Sequence, residues 1–372
     1  MSRKRSHDAL EAFRERFIEG AAGKGVDAAI ADTVFDKLVG FSGFGFPKAH
    51  AAAFGLLAYQ STWLRHYYPA EFLCALLNEQ PMGFYPPSTL VRDGQRHGVE
   101  VLPVDVNLSA ARCVVELDAV RIGLNYISSV GKDDAESIVA ERERNGPYRD
   151  IADLARRPRL SYDGLEALVK GGACDGFWKP RRDLLWELGL VFRAQSVPGS
   201  EGEVKQLPLE LEPTAETPPL RDLTRWERML ADYRHTSMSI ETHPLSLLRP
   251  HLPEGTLSSD ELRVARHGRQ VAFAGMTVAR QRPSTAKGIV FMLLEDEFGQ
   301  VNLIVPSEIY EKHRATVRAE PLVLARGRYE RVGENRNVLV SSLESLGPLA
   351  RRVAEDDTVW ESLPRPHSFG RR

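Results

Sequence analysis

The pattern of apolar and polar positions predicts helices at the start of the chain. Over residues 8–20 and again over 26–38, apolar side chains recur at the three- and four-residue spacing of an amphipathic helix. The apolar stripe of the second helix consists of Val26, Ile30, Val34 and Leu38. Residues 49–67 are apolar on nearly every side, which indicates a buried helix, and Pro69 begins another that ends near Glu79. We therefore expect residues 1–80 to form a compact all-helical segment.

The middle of the chain is more broken. It contains a predicted helix over 86–97, a small hairpin over 113–124 with Asp118 at its turn, and then short helices separated by glycine and proline. This pattern makes 81–195 a second region. Residues 196–221 are rich in Pro and Glu and lack periodicity, which is typical of a flexible linker. A helical connector over 222–265 follows.

From Gln270 onward the apolar period becomes two, which predicts strands. Five strands are expected, near 270–279, 288–295, 300–305, 321–329 and 337–342, with a helix near 307–317 between the third and fourth. This order is typical of a five-stranded OB-fold barrel, here spanning 266–350, with a disordered tail over 351–372. The fold class is therefore multidomain α+β.

Composition narrows the class of protein. The chain has 372 residues, of which 42% are hydrophobic and 27% charged, so a soluble protein of two or three domains is expected. No apolar run is long enough for a membrane span, which predicts no membrane association. Three separated cysteines and unclustered histidines predict reduced thiols, a cytoplasmic location and no metal site. The net charge of −2 means that any nucleic acid must bind at local basic clusters.

The stretch GFGFPKAHAAAFGLLAYQ over residues 43–60 contains the first candidate site. Gly43 and Gly45 allow a tight bend, after which Lys48 and His50 stand at the beginning of an apolar helix. A helix N-terminus with free N–H groups and nearby positive charge suits a phosphate group. From the residues alone, the alternative that Lys48 and His50 only cap a core helix stays open.

This stretch resembles the fingers signature of the bacterial C-family DNA polymerases, the polymerase III alpha subunits. The matching residues are Lys48, Ala49, His50, Ala51 to Ala53, Phe54, Tyr59, Gln60, Leu64, Arg65, Pro69, Ala70, Glu71 and Phe72. Residues 78–107, with the wording Pro-Met-Gly-Phe-Tyr, are more similar to the error-prone, translesion branch. The resemblance implies that Lys48, His50, Tyr59 and Gln60 contact the incoming nucleotide or the primer–template.

The resemblance also implies a DNA-directed DNA polymerase acting in replication and damage-tolerant repair. The family's palm holds Mg²⁺ on three aspartates, two of them in an Asp-x-Asp pair, and this sequence contains no such pair. We therefore expect the chain to be a C-terminal portion without the palm, inactive alone and binding no cofactor itself. The expected partners are DNA and other translesion-synthesis proteins. A separate chain carrying the palm is expected if the gene is split, and the alternative is a truncated sequence.

Two further regions are candidate DNA-binding modules. Residues 127–142 resemble a helix-hairpin-helix, in which Gly131 and Lys132 would meet a phosphate, although Ser129 stands where the best DNA-binding hairpins have Gly. Residues 159–177 are predicted to be the second hairpin, bent at Gly171-Gly172. In the barrel, basic and aromatic residues alternate as single-stranded DNA binding requires. The nominated residues are Arg280, Arg282, Lys287, Phe291, Arg326, Arg328 and Tyr329; for Phe291 and Tyr329 a place in the core is the alternative.

The linker contains a candidate docking peptide. Gln206, Leu207, Leu209 and Leu211 resemble the short motif by which bacterial proteins bind the sliding clamp. Two other interpretations of the chain stay open. One is a non-catalytic DNA-binding or clamp-associated protein derived from such a polymerase. The other is an RNA-binding OB protein of the anticodon-binding type, which would explain 270–342 but nothing in 1–110.

Overall fold

The computed structural model describes residues 11–43, 48–83, 85–158, 160–195, 218–283, 286, 288–333, 335–354, 363 and 367–369. The chain divides into two compact units, Met1–Tyr67 and Tyr68–Arg372. The predicted boundary near residue 80 is therefore too late by one helix, because the helix that begins at Pro69 packs within the second unit.

The first unit is helical, as predicted. Its helices are α1 (Arg14–Ala22), α2 (Ala28–Gly43) and α3 (Lys48–Tyr67). Helices α1 and α2 are joined by Phe17 and Phe35, whose ring centroids lie 5.4 Å apart. The Arg14 guanidinium lies 5.1 Å from the Phe35 ring and also pairs with two aspartates of α2. The aromatic contact between Phe17 and Phe35 and the ion pairs of Arg14 therefore hold these two helices together.

The apolar face that α2 buries is not the expected one. Ala31, Phe35 and Val39 are buried, whereas Ile30 and Val34, which belong to the predicted stripe, are 58% and 44% exposed. Both stripes have helical spacing. The periodicity predicts the helix correctly, but it does not decide which of two adjacent stripes a neighbouring element covers.

Helix α3 contradicts the prediction of a buried helix. Phe54, Leu57 and Tyr59 are 59%, 55% and 68% exposed, and Trp63 and Tyr67 are also exposed. A helix that is apolar all round needs neighbours on every side to be buried. The described residues of this unit do not supply them.

The second unit begins with a helical region built around a small sheet. Its elements are α4 (Pro69–Asn78), α5 (Pro87–Arg96), β1 (Glu100–Leu102), β2 (Val114–Glu116), β3 (Ala119–Arg121), α6 (Lys132–Asn145), α7 (Ile151–Arg156), α8 (Tyr162–Lys170) and α9 (Arg181–Gln195). Strands β2 and β3 form the predicted hairpin, and β1 pairs with β3. Leu73 and Leu77 are buried on the face of α4 that packs in this region. A Cβ on Gly94 of α5 would lie only 2.6 Å from Leu73 Cδ2. This close approach explains why α4 belongs to the second unit.

Three helices follow the linker, α10 (Arg225–Thr236), α11 (Pro244–Leu248) and α12 (Ser259–Val264), with the short strand β4 (Thr256–Leu257) just before α12. Helix α10 is tied to the helical region by the buried Arg181. That guanidinium donates to both carboxylate oxygens of Asp175 at 2.9 and 2.7 Å, and to Asp232 of α10 at 2.8 Å. Chain segments on both sides of the linker therefore belong to one packed region.

A closed five-stranded β-barrel follows, as the alternating pattern predicts. Its strands are β5 (Gln270–Gln281), β6 (Val290–Glu295), β7 (Gln300–Val305), β8 (Leu322–Val332) and β9 (Asn335–Ser345), and helices α13 (Ser307–Lys312) and α14 (Arg314–Ala319) lie between β7 and β8. The hydrogen-bonded order is β5-β6-β7-β9-β8, and β8 returns to β5. Strand β5 pairs with β8 in its first half and with β6 in its second, with an irregularity between Thr277 and Ala279. The topology is OB-like.

The predicted disordered tail, 351–372, contains residues that pack in this structure. Helix α15 (Gly347–Ala354) extends past residue 350, where the barrel region was predicted to end. Further along the tail, Leu363 is 4% exposed and belongs to a core cluster. Strand β10 (His367–Phe369) pairs in parallel with residues 279–281 at the end of β5. That edge of β5 offers unpaired backbone groups to an extended segment, which local composition does not reveal.

The helical region and the barrel meet at Glu295, a completely buried residue at the end of β6. Its Oε2 accepts from Arg96 of α5 at 3.3 Å and from Gln300 at 2.8 Å. Beside this contact, Arg92 of α5 donates to the Ser239 carbonyl at 2.7 Å. Burial raises the pKa of Glu295, and Gln300 and Arg96 act against that rise.

Among the described residues, no helix is long and apolar enough to cross a membrane.

We expect Gly327→Ala to destabilise the barrel. Gly327 lies at the irregularity between β8 and β9, where a Cβ would overlap the Leu339 oxygen and lie 2.8 Å from its carbonyl carbon. Because backbone cannot move aside cheaply, the cost should be about 1–3 kcal/mol, measured by calorimetry. The matched control is Gly189→Ala on α9, where nothing lies within 4 Å, and which should stabilise by roughly 0.5–1 kcal/mol. Equal stability of the two variants would contradict this account of barrel closure.

Candidate nucleic-acid interface

The residues predicted to meet a nucleotide all lie on α3. Lys48 is its first residue, and the ring centroids of His50 and Phe54 lie 4.4 Å apart with the rings tilted by 47°. His50, Tyr59 and Gln60 are exposed. Tyr59 lies nine positions after His50, which places the two on opposite sides of the helix and about 14 Å apart along its axis. Helix α3 alone therefore does not bring them into one site.

The first predicted hairpin is present, and its turn spans Ile127–Val130. The Val130 N–H donates to the Ile127 carbonyl at 3.2 Å, and Ser129 has φ of 63°. Gly131 precedes α6, and its N–H donates to Asp134 Oδ2 at 3.1 Å. The Gly131 amide, nominated as a phosphate ligand, is therefore already occupied by a carboxylate.

Lys132 keeps the exposure that a phosphate contact needs. Its side chain is 82% exposed, and its Nζ lies 3.7 Å from Glu136. Asp133 and Asp134 stand in the same first turn. Their carboxylates offset part of the positive field that the helix start and Lys132 provide.

The predicted second hairpin, residues 159–177, contains α8 and the glycine pair that follows it. Helix α7 ends at Arg156 and α8 begins at Tyr162, where the Ser161 hydroxyl accepts from the Gly164 N–H. Gly171 and Gly172 follow the last residue of α8, and Gly172 has φ of 86°. Residue 159 lies outside the described residues. Gly172 therefore has the backbone conformation that favours glycine.

The first hairpin is fixed by a residue that the sequence did not suggest. The Ser128 N–H donates to the His235 carbonyl at 2.7 Å, and the Ser128 hydroxyl lies 2.9 Å from His235 Nδ1. His235 stands at the end of α10, 107 positions away. No local motif announces such a contact.

Two nominated barrel residues are not accessible to DNA in this structure. Tyr329 is completely buried in the barrel core, so the prediction of a stacking face is wrong and the core alternative holds. Arg280 is 8% exposed and donates to the Glu320 carbonyl at 2.5 Å. Burial lowers the pKa of Arg280 to about 10. Both positions fail as DNA contacts because strand register turns them inward.

The other nominated basic residues are on the surface, but with acidic partners. Arg326 pairs with Glu344 at 3.0 Å, and Arg328 pairs with Glu330 at 2.7 Å. The Arg282 guanidinium lies 4.4 Å from the Tyr310 ring centroid. Lys287 lies outside the described residues, as do Gln206, Leu207, Leu209 and Leu211. Counting arginines along the sequence therefore overstates the free positive charge of the barrel.

Phe291 belongs to a row of outward-facing side chains that crosses the barrel. Strand pairing aligns Phe291 with Ile304, Ile304 with Leu339, and Leu339 with Arg328. Phe291 is 37% exposed, Ile304 and Leu339 are half-buried, and Arg328 is exposed. We call these four residues the outer row. An apolar surface with an aromatic ring and a terminal guanidinium suits flat, negatively charged ligands such as unpaired nucleotides.

The sequence missed Ile304 and Leu339 because they become neighbours only through the parallel pairing of β7 with β9. Their outward positions follow from alternation within each strand. Their adjacency does not, because the two strands are separated by α13, α14 and β8.

Comparison with known families identifies one match. Residues 98–184 match the model described as a helix-hairpin-helix motif. The match spans both predicted hairpins and confirms the helix-hairpin-helix module.

Curated relatives match nearly the whole chain. The error-prone DNA polymerase of Anaeromyxobacter dehalogenans is 41% identical over 374 residues, which cover 96% of this chain and 31% of that protein. The error-prone DNA polymerase of Pseudomonas aeruginosa is 40% identical over 352 residues, covering 92% of this chain and 33% of the relative. The chain thus spans about a third of the length of these relatives.

Solved structures add nothing to the fold. Asparaginyl-tRNA synthetase from Pyrococcus horikoshii aligns with a TM-score of 0.21 and 20% identity, covering 24% of this chain and 22% of that protein. A score this low supports no argument about fold or ligand.

Proposed function

We propose that this chain, which is homologous over most of its length to the error-prone DNA polymerases, is the portion of such an enzyme that holds DNA. In this proposal it binds primer–template and single-stranded template through the helix-hairpin-helix region and the barrel. It acts in replication and damage-tolerant repair synthesis, with a palm supplied by a separate chain.

The outer row is the observation that carries the proposal. Single-stranded DNA is held by flat or apolar side chains under the bases and by cations beside the phosphates. Phe291 supplies a ring, Ile304 and Leu339 extend the apolar surface, and Arg328 ends it with a guanidinium. The same strands face the core with their alternate residues, so the surface is rigid.

Electrostatics suggest modest affinity. The chain has a net charge of −2, and Arg326 and Arg328 are paired with glutamates. Binding a phosphate must displace or share these partners. We therefore expect weak, salt-dependent binding dominated by stacking.

Helix α3 supports a role beside a palm. Its exposed apolar residues, including Leu57 and Trp63, form a surface that suits another apolar surface of a polymerase. In the proposal Lys48 and His50, at the beginning of that helix, meet the incoming triphosphate.

Among the described residues no three His, Cys, Asp or Glu side chains gather as a metal site. Those residues do not fit the Mg²⁺ that polymerase chemistry needs.

The first prediction from this function concerns Phe291. Phe291→Ala should weaken binding of a fluorescent single-stranded oligonucleotide by about 1–3 kcal/mol, the range for loss of one stacking ring. The measurement is fluorescence anisotropy at two salt concentrations. The matched control is Phe298→Ala, another exposed phenylalanine, in the β6–β7 turn and outside the outer row. Equal losses in both variants would remove the outer row from the interface.

Catalysis should require a second polypeptide. We expect the purified chain to leave a primer unextended in the presence of Mg²⁺ and all four nucleotides. Mixing it with a chain carrying the palm should restore extension, and Lys48→Ala should then raise KM or lower kcat about tenfold to a hundredfold. Extension by the chain alone would refute the division of labour. Binding of DNA with no extension in any mixture would favour a non-catalytic DNA-binding protein.

Clamp binding is a separate proposal, supported by the Gln206–Leu211 sequence. An extended peptide with a glutamine and spaced leucines fits a hydrophobic groove. Replacing Gln206 and Leu209 by Ala should abolish co-elution with the sliding clamp while leaving the melting temperature unchanged. A complex that survives the replacement would make the motif a chance match.

A further inference from the structure

The first hairpin contains a serine where the backbone favours glycine. Ser129 is the third residue of the Ile127–Val130 turn and has φ of 63°. Side chains other than that of glycine are disfavoured there, because the Cβ crowds the backbone. Such a turn persists only when surrounding contacts fix it.

Helix α10 provides those contacts at the preceding residue. The His235 carbonyl accepts the Ser128 N–H at 2.7 Å, and His235 Nδ1 lies 2.9 Å from the Ser128 hydroxyl. Burial lowers the pKa of His235, and the charges of Lys170 and Arg234 lower it further. In a neutral ring, Nδ1 can accept a hydrogen bond from the Ser128 hydroxyl.

Packing fixes the same point from beneath. Ile127 is 2% exposed, and a Cβ on Gly171 would lie 2.7 Å from Ile127 Cδ1 and 3.3 Å from His235 Cβ. The end of α8, the hairpin and the end of α10 therefore meet with no spare room. A shift of His235 must therefore displace the residues of the turn.

We infer that His235 is a positioning residue for the DNA-binding hairpin, holding Ser128 so that Ser129 keeps its left-handed conformation. The hydrogen bonds from α10 substitute for the glycine that other hairpins use. This inference rests on the proposed function, in which the hairpin contacts DNA. It adds that a helix beyond the linker sets the hairpin's geometry.

The test uses the full chain and two measurements. One is anisotropy with a primer–template oligonucleotide, and the other is amide hydrogen exchange over residues 127–131. His235→Ala should speed exchange in the hairpin and weaken DNA affinity about threefold to tenfold, as for loss of one hydrogen bond. His251→Ala, at an exposed histidine of the same unit, should change neither.

Rescue separates positioning from simple destabilisation. Ser129→Gly removes the need for external support, so the His235→Ala and Ser129→Gly double variant should recover most of the affinity and exchange protection. His235→Asn should retain both, since its amide oxygen can accept the Ser128 hydroxyl. The asparagine variant also serves if the alanine variant fails to fold.

Two outcomes would overturn the inference. One is unchanged hairpin exchange in His235→Ala, and the other is a double variant no better than His235→Ala. A wild-type chain that binds no oligonucleotide would sink the proposed function instead. Hydrogen exchange would still decide whether His235 positions the hairpin.

Discussion

The arrangement of the second unit depends on one buried carboxylate. Glu295 ends a barrel strand, yet its partner Arg96 comes from a helix of the helix-hairpin-helix side, 199 positions away. A buried charge must keep its partner, because losing it leaves an uncompensated ion. Arg92 adds a bond to the Ser239 carbonyl beside it. At this point the barrel and the helical region therefore meet through polar groups, which specify one geometry more strictly than apolar packing would.

The barrel and the β2–β3 hairpin could be predicted because their signals are local. Alternation defines each strand, and turn residues separate neighbours along the chain. The burial of Tyr329 and Arg280 was not settled by the sequence, because alternation separates the two faces of a strand without saying which face is turned to the core. The prediction that the stripe containing Ile30 and Val34 would be buried was wrong for a similar reason. Periodicity marks a helix, whereas its neighbours choose the buried face.

The candidate interface divides along the same line. Phe291 and Arg328 were found because aromatic and basic residues are conspicuous in a strand. Ile304 and Leu339, which lie between them, are ordinary aliphatic residues whose role depends on register. Ser128 and His235 meet across 107 positions and a linker. Local sequence therefore identifies the modules, and tertiary contacts determine which of their side chains are presented together.

Helix α3 has a consequence for the cell that makes this chain. Its aromatic and aliphatic side chains are exposed along its length, including Phe54, Leu57 and Tyr67. Surfaces of this kind attract chaperones and proteases, and at high concentration they attract each other. A copy of the chain in which no other apolar surface covers α3 would therefore aggregate or be degraded. Protein quality control then limits how much of the chain can persist without a covering surface.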